Sequence, residues 1–469
     1  MRVSIDFLLQ SRDADLYSWR THCKGGLMEK TYRPYEPDQL FLLPPALQDW
    51  LPADHLVFFL SDVVNALDLS AISRVYEQET RGYPPYHPQM MVKLLLYSYA
   101  IGVASSRRIA QRCQEDVAYR VLTANNTPDF RTISDFRKRH LAALEGLFVQ
   151  VLRCCQRAGL VQLGTIALDG TKVRANASKH KAMSYGRMQS EVTRLEAEVQ
   201  ALLARAERVD ATEDAAHGER RGDELPAELA HRTTRLQRIR TAMAALEAEA
   251  QAAVPPPAED RPRRGRPPTT PPGTPAPTAQ RNFTDPDSRI MVDGDKAFIQ
   301  AYNAQAAMES SHQVIVACAV TNQARDAPHL LPLVAAVRRN VRRPPRRVLA
   351  DAGYWSARNV TGLTAAQIEP LIAPGKMKHG LPPPPPRGRI PAHLSLRDRM
   401  RRTLRTQRGQ RLYAQRKVLT EPVFGPIKRA RGFRQFLLRG LQKVQGEWAL
   451  ICTGHNLLTL FRSRQWATG

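Results

Sequence analysis

From residue 52 to 158, apolar side chains recur at helical spacing, which predicts several short amphipathic helices in series. Pro88 stands where a first-turn proline is tolerated, ahead of the apolar run MMVKLLLYSYAIGV. Ser105 and Ser106 can cap the next helix, and Thr132 with Asp135 predicts one long helix running through Cys155. The period then changes. Residues 163–173, LGTIALDGTKV, form a short β-prone run, and strand-like runs return at 297–308, 313–320, 346–351 and 368–374, separated by helical or turn segments. Between the first and second strands lies an insertion of over 100 residues with its own periodicity. Met188, Val192, Leu195, Val199, Leu202, Ala206 and Val209 alternate steps of four and three, and Leu229, Leu236, Ile239, Met243 and Leu246 repeat a similar seam. The break between them holds Gly218, Gly222 and Pro226, so a helical hairpin is predicted. Residues 255–277 hold ten prolines and can be neither helix nor central strand, which leaves an extended linker.

Composition adds the partner. The 469 residues, 43% of them hydrophobic, suffice for two to four domains of ~100–200 residues and exclude wholesale disorder. A balance of 69 Lys+Arg against 44 Asp+Glu, net +25, points to a polyanion, and nucleic acid is the first to test. The excess is concentrated in residues 387–439, where 16 Arg+Lys meet only two acids, Asp398 and Glu421. Apolar residues interleave this tract, so it can fold and present its charge on one face. Arg107, Arg108, Arg112, Arg131, Arg137, Lys138 and Arg139 fall on polar faces of the predicted helices and suit a helix-turn-helix-like DNA binder. Arg263-Arg264-Gly265-Arg266-Pro267 is similar to a minor-groove AT-hook, although a plain basic linker explains it better. Six scattered cysteines make no CxxC pair, which excludes a disulfide scaffold or zinc ribbon, and Cys452 and His455 read as core packing. No run reaches the ~18–20 apolar residues of a membrane span, so a soluble cytoplasmic protein without a membrane partner is expected, with residues 1–27 poorly ordered.

Three acids carry candidate chemistry. Asp169 closes the apolar strand TIALD, Asp351 closes RVLAD, and Glu421 opens a predicted helix with Lys428 two turns on. Carboxylates converging from strand ends and a neighbouring helix, amid basic residues, suit divalent cations held against a phosphodiester. Asp293 and Asp295 read as turn residues and Asp326 as a helix cap, which makes them weaker rivals to Asp351. Lys172, Arg174 and Asn176, beyond Asp169, are further DNA candidates.

At these residues the chain resembles the DDE transposases of bacterial insertion sequences. The carriers are YHPQMMVKLLLYSYAIGVASSRRIA and PDFRTISDFRKRH, similar to an InsH-like N-terminal domain, then IALDGTKVRANAS, AYNAQAAMESSHQVIVA, LADAGYWS, and EPVFGPIK with the segment after it. The resemblance implies an α+β multidomain protein: a tail at 1–45, an all-α DNA-binding domain at 46–160, and an RNase H-like mixed α/β catalytic domain at 161–186 and 284–465. A helical-hairpin insertion at 187–252 and a Pro-rich basic linker at 253–283 interrupt the catalytic domain. It implies Asp169, Asp351 and Glu421 as catalytic ligands of two Mg²⁺ ions, with Mn²⁺ as a substitute. It also implies DNA contacts by Arg107, Arg108, Arg137, Lys138, Tyr413, Arg416, Lys417, Lys428, Arg431 and Arg434. The partners would be double-stranded transposon ends and target DNA, bound by a homodimer in the bacterial nucleoid. The family's Tyr-Arg-Glu-Lys signature fits at Tyr413, Glu421 and Lys428, but one extra residue follows Arg416, so either Arg416 or Lys417 fills the arginine position.

Overall fold

The computed structural model describes residues 46–77, 84–217, 227–254, 270–375, 388, 390–391 and 393–467. The expected disordered N-terminal tail, the AT-hook-like segment, the hairpin's Gly/Pro break and most of the Pro-rich linker lie outside the described residues. One compact unit begins at Leu47.

Seven helices open this unit: α1 (Leu56–Asn65), α2 (Ser70–Glu77), α3 (Pro88–Ile101), α4 (Ser106–Glu115), α5 (Val117–Thr123), α6 (Phe130–Arg139) and α7 (Leu141–Arg157). Their ends follow local chemistry. The His87 ring caps α3 at the Gln89 N–H with Pro88 in the first turn, and Gly102 closes the helix in left-handed geometry. Gly102 is required there, because its φ is +89° and the Arg431 backbone packs directly on it. The single long helix expected from Thr132 is two helices. Asp129 caps α6 through the Arg131 and Thr132 N–H groups, and His140 (φ −104°) ends it, its ring bonded to the Tyr76 hydroxyl.

The chain then enters a six-stranded mixed sheet. β1 (Thr165–Arg174) is its centre. After it come β2 (Ala182–Ser184), α8 (Tyr185–His217), α9 (Ala227–Ala252) and β3 (Gln280–Asn282), where β2 and β3 pair apart from the main sheet. The sheet resumes with β4 (Arg289–Val292), β5 (Phe298–Glu309) and β6 (Ile315–Thr321), then α10 (Leu330–Val341), β7 (Arg347–Ala350), α11 (Ala357–Ala365) and β8 (Glu369–Ile372). β5 pairs antiparallel with β1 on one side and with β4 and β6 on the other. β7 and β8 extend the opposite side of β1 in parallel, each reached through a helix as parallel pairing demands. Basic helices α12 (Leu396–Arg405) and α13 (Gln407–Gly425) and the long α14 (Leu441–Ala467) complete the fold.

A single hydrophobic core runs from Val57 in α1 through the sheet to Leu460 in α14. The boundary near residue 160 therefore marks a change of secondary structure across a shared interior. The hairpin has its own core, in which Met188 and Leu195 of α8 meet Leu236, Ile239 and Leu246 of α9. Ion pairs Arg232–Glu198 and Arg240–Glu196 cross between the two helices. Among the described residues no single helix is long and apolar enough to cross a membrane.

Candidate active site

The apolar strand segments TIAL and RVLA lie side by side in parallel, with Leu168 beside Ala350. β1 does not close at Asp169 as expected but runs on, paired with β5, to Arg174; Asp169 lies where the pairing with β7 stops, beside Asp351, which follows the last residue of β7, on strands ~4.8 Å apart. Carboxyl ends of parallel strands are where open α/β sheets usually bind ligands. Each aspartate is braced locally: Asp169 Oδ1 accepts the Gly170 N–H at 2.9 Å, and Asp351 Oδ1 accepts the Gly353 N–H at 2.9 Å. Burial and the charge of Asp351 push the Asp169 carboxyl up to about 6, outweighing Arg416, the Gly170 N–H and the Thr420 hydroxyl.

α13 supplies the wall over this pair. Thr406 caps it at the Gly409 N–H, and Tyr413, Arg416, Thr420 and Val423 recur at steps of three and four along one face. The Tyr413 hydroxyl donates to the Ala350 carbonyl at 3.3 Å, and the Arg416 guanidinium stands 3.7 Å from Asp169 Oδ2. Lys417 is exposed, so Arg416 is the residue that faces the aspartates. Glu421 does not open a helix as expected. The helix begins fourteen residues earlier, at Gln407, and Glu421 is exposed near its far end, one residue past the buried Thr420. Pro422 is tolerated inside the helix because the Val418 carbonyl it leaves without an N–H accepts from Gln313 instead, at 3.4 Å. α13 then widens into a π-helical turn, Pro426–Ala430. That turn carries Lys428 back to β1, where its Nζ donates to the Lys172 carbonyl at 3.1 Å.

The remaining candidates divide by burial. Arg137 is 4% exposed and donates to the Tyr99 hydroxyl, the Ala104 carbonyl and the Ser106 hydroxyl. Arg431 is 8% exposed and donates to the Tyr99 and Ile451 carbonyls. Here both expected DNA contacts are internal ties, because a guanidinium can be buried when carbonyls absorb its donors. Lys138 pairs with Asp135 at 3.2 Å. Arg108 and Arg434 are exposed. Arg107 and Arg131 both lie over the ring of Phe130, with guanidinium carbons 5.2 and 5.7 Å from its centroid, and that ring is itself 38% exposed. Arg174 and Asn176 bond the segment 434–437, the first through its backbone and the second through its side chain, extending β1. Asp293 organises the β4–β5 turn through the Asp295 and Ala297 N–H groups. Asp326 makes no capping bond; it accepts from Asn303, Gln305 and Lys172 instead.

Among the described residues no three His, Cys, Asp or Glu side chains form a ready metal cluster. What the strands bring together is a pair: a half-buried carboxylate whose ionisation is opposed by its neighbour, an arrangement that a divalent cation relieves. Two neighbouring aspartates under a basic helix, one within β1 and one just past β7, make a candidate metal-dependent phosphodiester site. Family profiles agree with that class. A transposase domain (DUF772) matches residues 45–139 and a transposase DDE domain matches residues 389–461. Comparison with curated proteins and with solved structures gives no match. The two matched stretches are thus similar to transposase domains. Tyr413, Arg416, Glu421 and Lys428 lie inside the second match; Asp169 and Asp351 lie outside both, so their assignment rests on geometry.

Proposed function

We propose that this protein cuts DNA at the ends of an insertion sequence and joins the freed 3′ ends to target DNA, with Asp169 and Asp351 at the catalytic centre. The observation that carries this reading is the pairing of the two aspartates on adjacent parallel strands, Asp169 within β1 and Asp351 just past β7, where burial and mutual repulsion lift the Asp169 carboxyl to about 6. The strand order β6-β5-β1-β7-β8, antiparallel on one side of β1 and parallel on the other, supports an RNase H-like catalytic domain. Asp169 and Asp351 would hold divalent cations, Mg²⁺ or Mn²⁺, with Glu421 on α13 as the third acid. Such cations supply an activated water or 3′-hydroxyl and offset charge on the phosphodiester. The chain's own groups do the rest. Thr420 and the Gly170 N–H orient Asp169, Arg416 offsets its charge, and Tyr413 ties α13 to the end of β7. Lys417 and Arg434 lie exposed on the same basic segment for phosphate contacts. The α8–α9 hairpin, with its separate core, is the element we assign to pairing two protomers on two ends.

The direct test is a supercoiled plasmid carrying the DNA that flanks the reading frame, incubated with the protein and Mg²⁺ or Mn²⁺. Nicks at both flanking ends are expected. Tight binding of those ends with no cutting in either metal would leave a DNA-binding protein instead.

The exposed arginines around Phe130 are the proposed phosphate grip of the N-terminal helices. Arg107→Ala and Arg131→Ala are each expected to lower the slope of log affinity against log salt by about one unit. Arg112→Ala serves as the control, since Arg112 already pairs with Asp116 at 3.0 Å. Equal slopes for all three variants and the parent would remove this surface from the DNA interface.

A further inference from the structure

A polar cluster drawn from β1, β5, the segment after β6 and the turn after β7 lies beside the two aspartates. Its hub is Asp326. One oxygen, Oδ1, accepts from Asn303 Nδ2 at 2.6 Å, from Gln305 Nε2 at 2.8 Å and from Lys172 Nζ at 3.3 Å. Gln305 Nε2 also reaches Asn303 Oδ1 at 2.9 Å, and Gln305 Oε1 accepts the hydroxyl of Tyr354, a fully buried ring three residues past Asp351. Lys172 is fixed from its other side by the Ala324 carbonyl at 2.9 Å.

The cluster closes on the backbone beside both aspartates. A Cβ added at Gly170, next to Asp169, would stand 3.0 Å from Asn303 Oδ1 and 3.0 Å from Asp326 Oδ1, and would also strike Gln305. One added at Gly353 would stand 2.8 Å from Asp326 Oδ2 and 3.1 Å from Asp351 Oδ1. Neither glycine has a positive φ, so it is space that demands glycine at both positions. Asp326 and Asp351 thus border the same small volume over Gly353, while Asp326 and its donors fill the volume over Gly170.

We propose that Asp326 is the positioning residue of the Asp169/Asp351 centre, locking β1 at Gly170 and the turn after β7 at Gly353 in one relative geometry; this rests on the nuclease reading above. The chemistry selects a carboxylate. An amide in its place could still accept from two neighbouring amides, but it could not offset the ammonium of Lys172, and charge-assisted bonds hold such a cluster more rigidly than neutral ones. A Asp326 oxygen already taken by three donors, one of them cationic, is poorly suited to bind a cation itself. Preorganised carboxylates need not reorganise when a cation and the phosphodiester arrive.

The test compares full-length parent protein with Asp169→Asn, Asp326→Asn, Gly353→Ala and the double variant Lys172→Met/Asp326→Asn. Two quantities are read: the Ca²⁺ concentration giving half of the cation-induced rise in melting temperature, and the single-turnover cleavage rate in Mg²⁺. Losing an outer-shell support typically costs about 10–100-fold in metal affinity or activity. Asp326→Asn is therefore expected to need about tenfold or more additional Ca²⁺ and to cleave at least about tenfold slower, with a melting temperature in chelator close to the parent's. Gly353→Ala should do the same from the other side of the cluster, and the double variant should regain part of the loss because no ammonium is left unpaired. A lowered melting temperature in chelator with an unchanged Ca²⁺ midpoint would reduce Asp326 to a structural residue. Complete loss of the Ca²⁺ response, as expected of Asp169→Asn, would make it a ligand. If Asp169→Asn itself kept the parent's Ca²⁺ response and cleavage, the nuclease reading would fall, and this proposal with it.

Discussion

Asp169→Asn and Asp351→Asn are each expected to lower Mg²⁺-dependent cleavage at a transposon end by about 10²–10³-fold or more, while DNA affinity stays within a few-fold. Removing one preorganised charged group from a reaction centre typically costs this much. Neither residue belongs to the basic surfaces that contribute salt-dependent binding, because Asp169 is paired with Arg416 and Asp351 stands beside it just past β7. Gel shifts and single-turnover cleavage separate the two quantities. A variant that loses binding and cleavage in proportion would place its aspartate in the DNA interface or the fold rather than in the chemistry. Asp293→Asn is the control, since Asp293 spends its carboxylate on the Asp295 and Ala297 N–H groups of the β4–β5 turn and the variant should cleave at nearly the parent rate.

The same Asp169→Asn change is expected to stabilise the protein at pH 7. The carboxyl sits at about 6 in the folded chain against an ordinary 3.8. Between these values the folded state keeps a proton that the unfolded state has lost, so stability falls as pH rises through that window, and the full cost is present above about 6. Asparagine escapes it. At 1.36 kcal/mol per unit the ceiling is roughly 3 kcal/mol. A side chain still 24% exposed, and an Arg416 left without its partner, bring the expected gain to about 1–2 kcal/mol. Denaturant unfolding in chelator at pH 7.5 and pH 3.5 measures it, and the difference between parent and variant should close at the lower pH. Lower stability of Asp169→Asn at pH 7.5 would show that the surroundings favour the ionised carboxyl and would remove the electrostatic argument for a cation there. A substitution that stabilises while abolishing activity marks a residue kept for function.

The two aspartates were legible because fully buried parallel strands read as unbroken apolar runs, and TIAL and RVLA each stop at an acid; that β1 continues past Asp169 to Arg174 was not legible, because the added residues are mostly polar and pair with β5 rather than β7. The hairpin was legible for a similar reason: Met188, Leu195, Leu236, Ile239 and Leu246 keep the spacing of their packed face. What failed was reading charge as surface. Arg137 and Arg431 look like neighbours of exposed arginines in sequence, and only the fold reveals the carbonyls and hydroxyls that receive them. The start of α13 was misplaced because Pro422 resembles a first-turn proline, and the compensating Gln313 is over a hundred residues away in sequence. Asp326 was read as a local cap, yet its partners come from β1 and β5. A signal for that cluster did exist: Asn303 and Gln305, two residues apart, place two amides on one face of a buried strand. Polar pairs at that spacing in a core strand need partners, and the search for them leads to Asp326 and Tyr354.

Cation binding tests the central assignment most directly. Mn²⁺ can be titrated into the full-length protein at pH 7.5, with and without a bound DNA end, and the free ion followed by electron paramagnetic resonance. If Asp169 and Asp351 are the ligands, the parent takes up Mn²⁺, and each single asparagine variant and the double variant Asp169→Asn/Asp351→Asn show no uptake at the site over the same range. Parent-like Mn²⁺ uptake by the double variant, with or without DNA, would contradict the assignment.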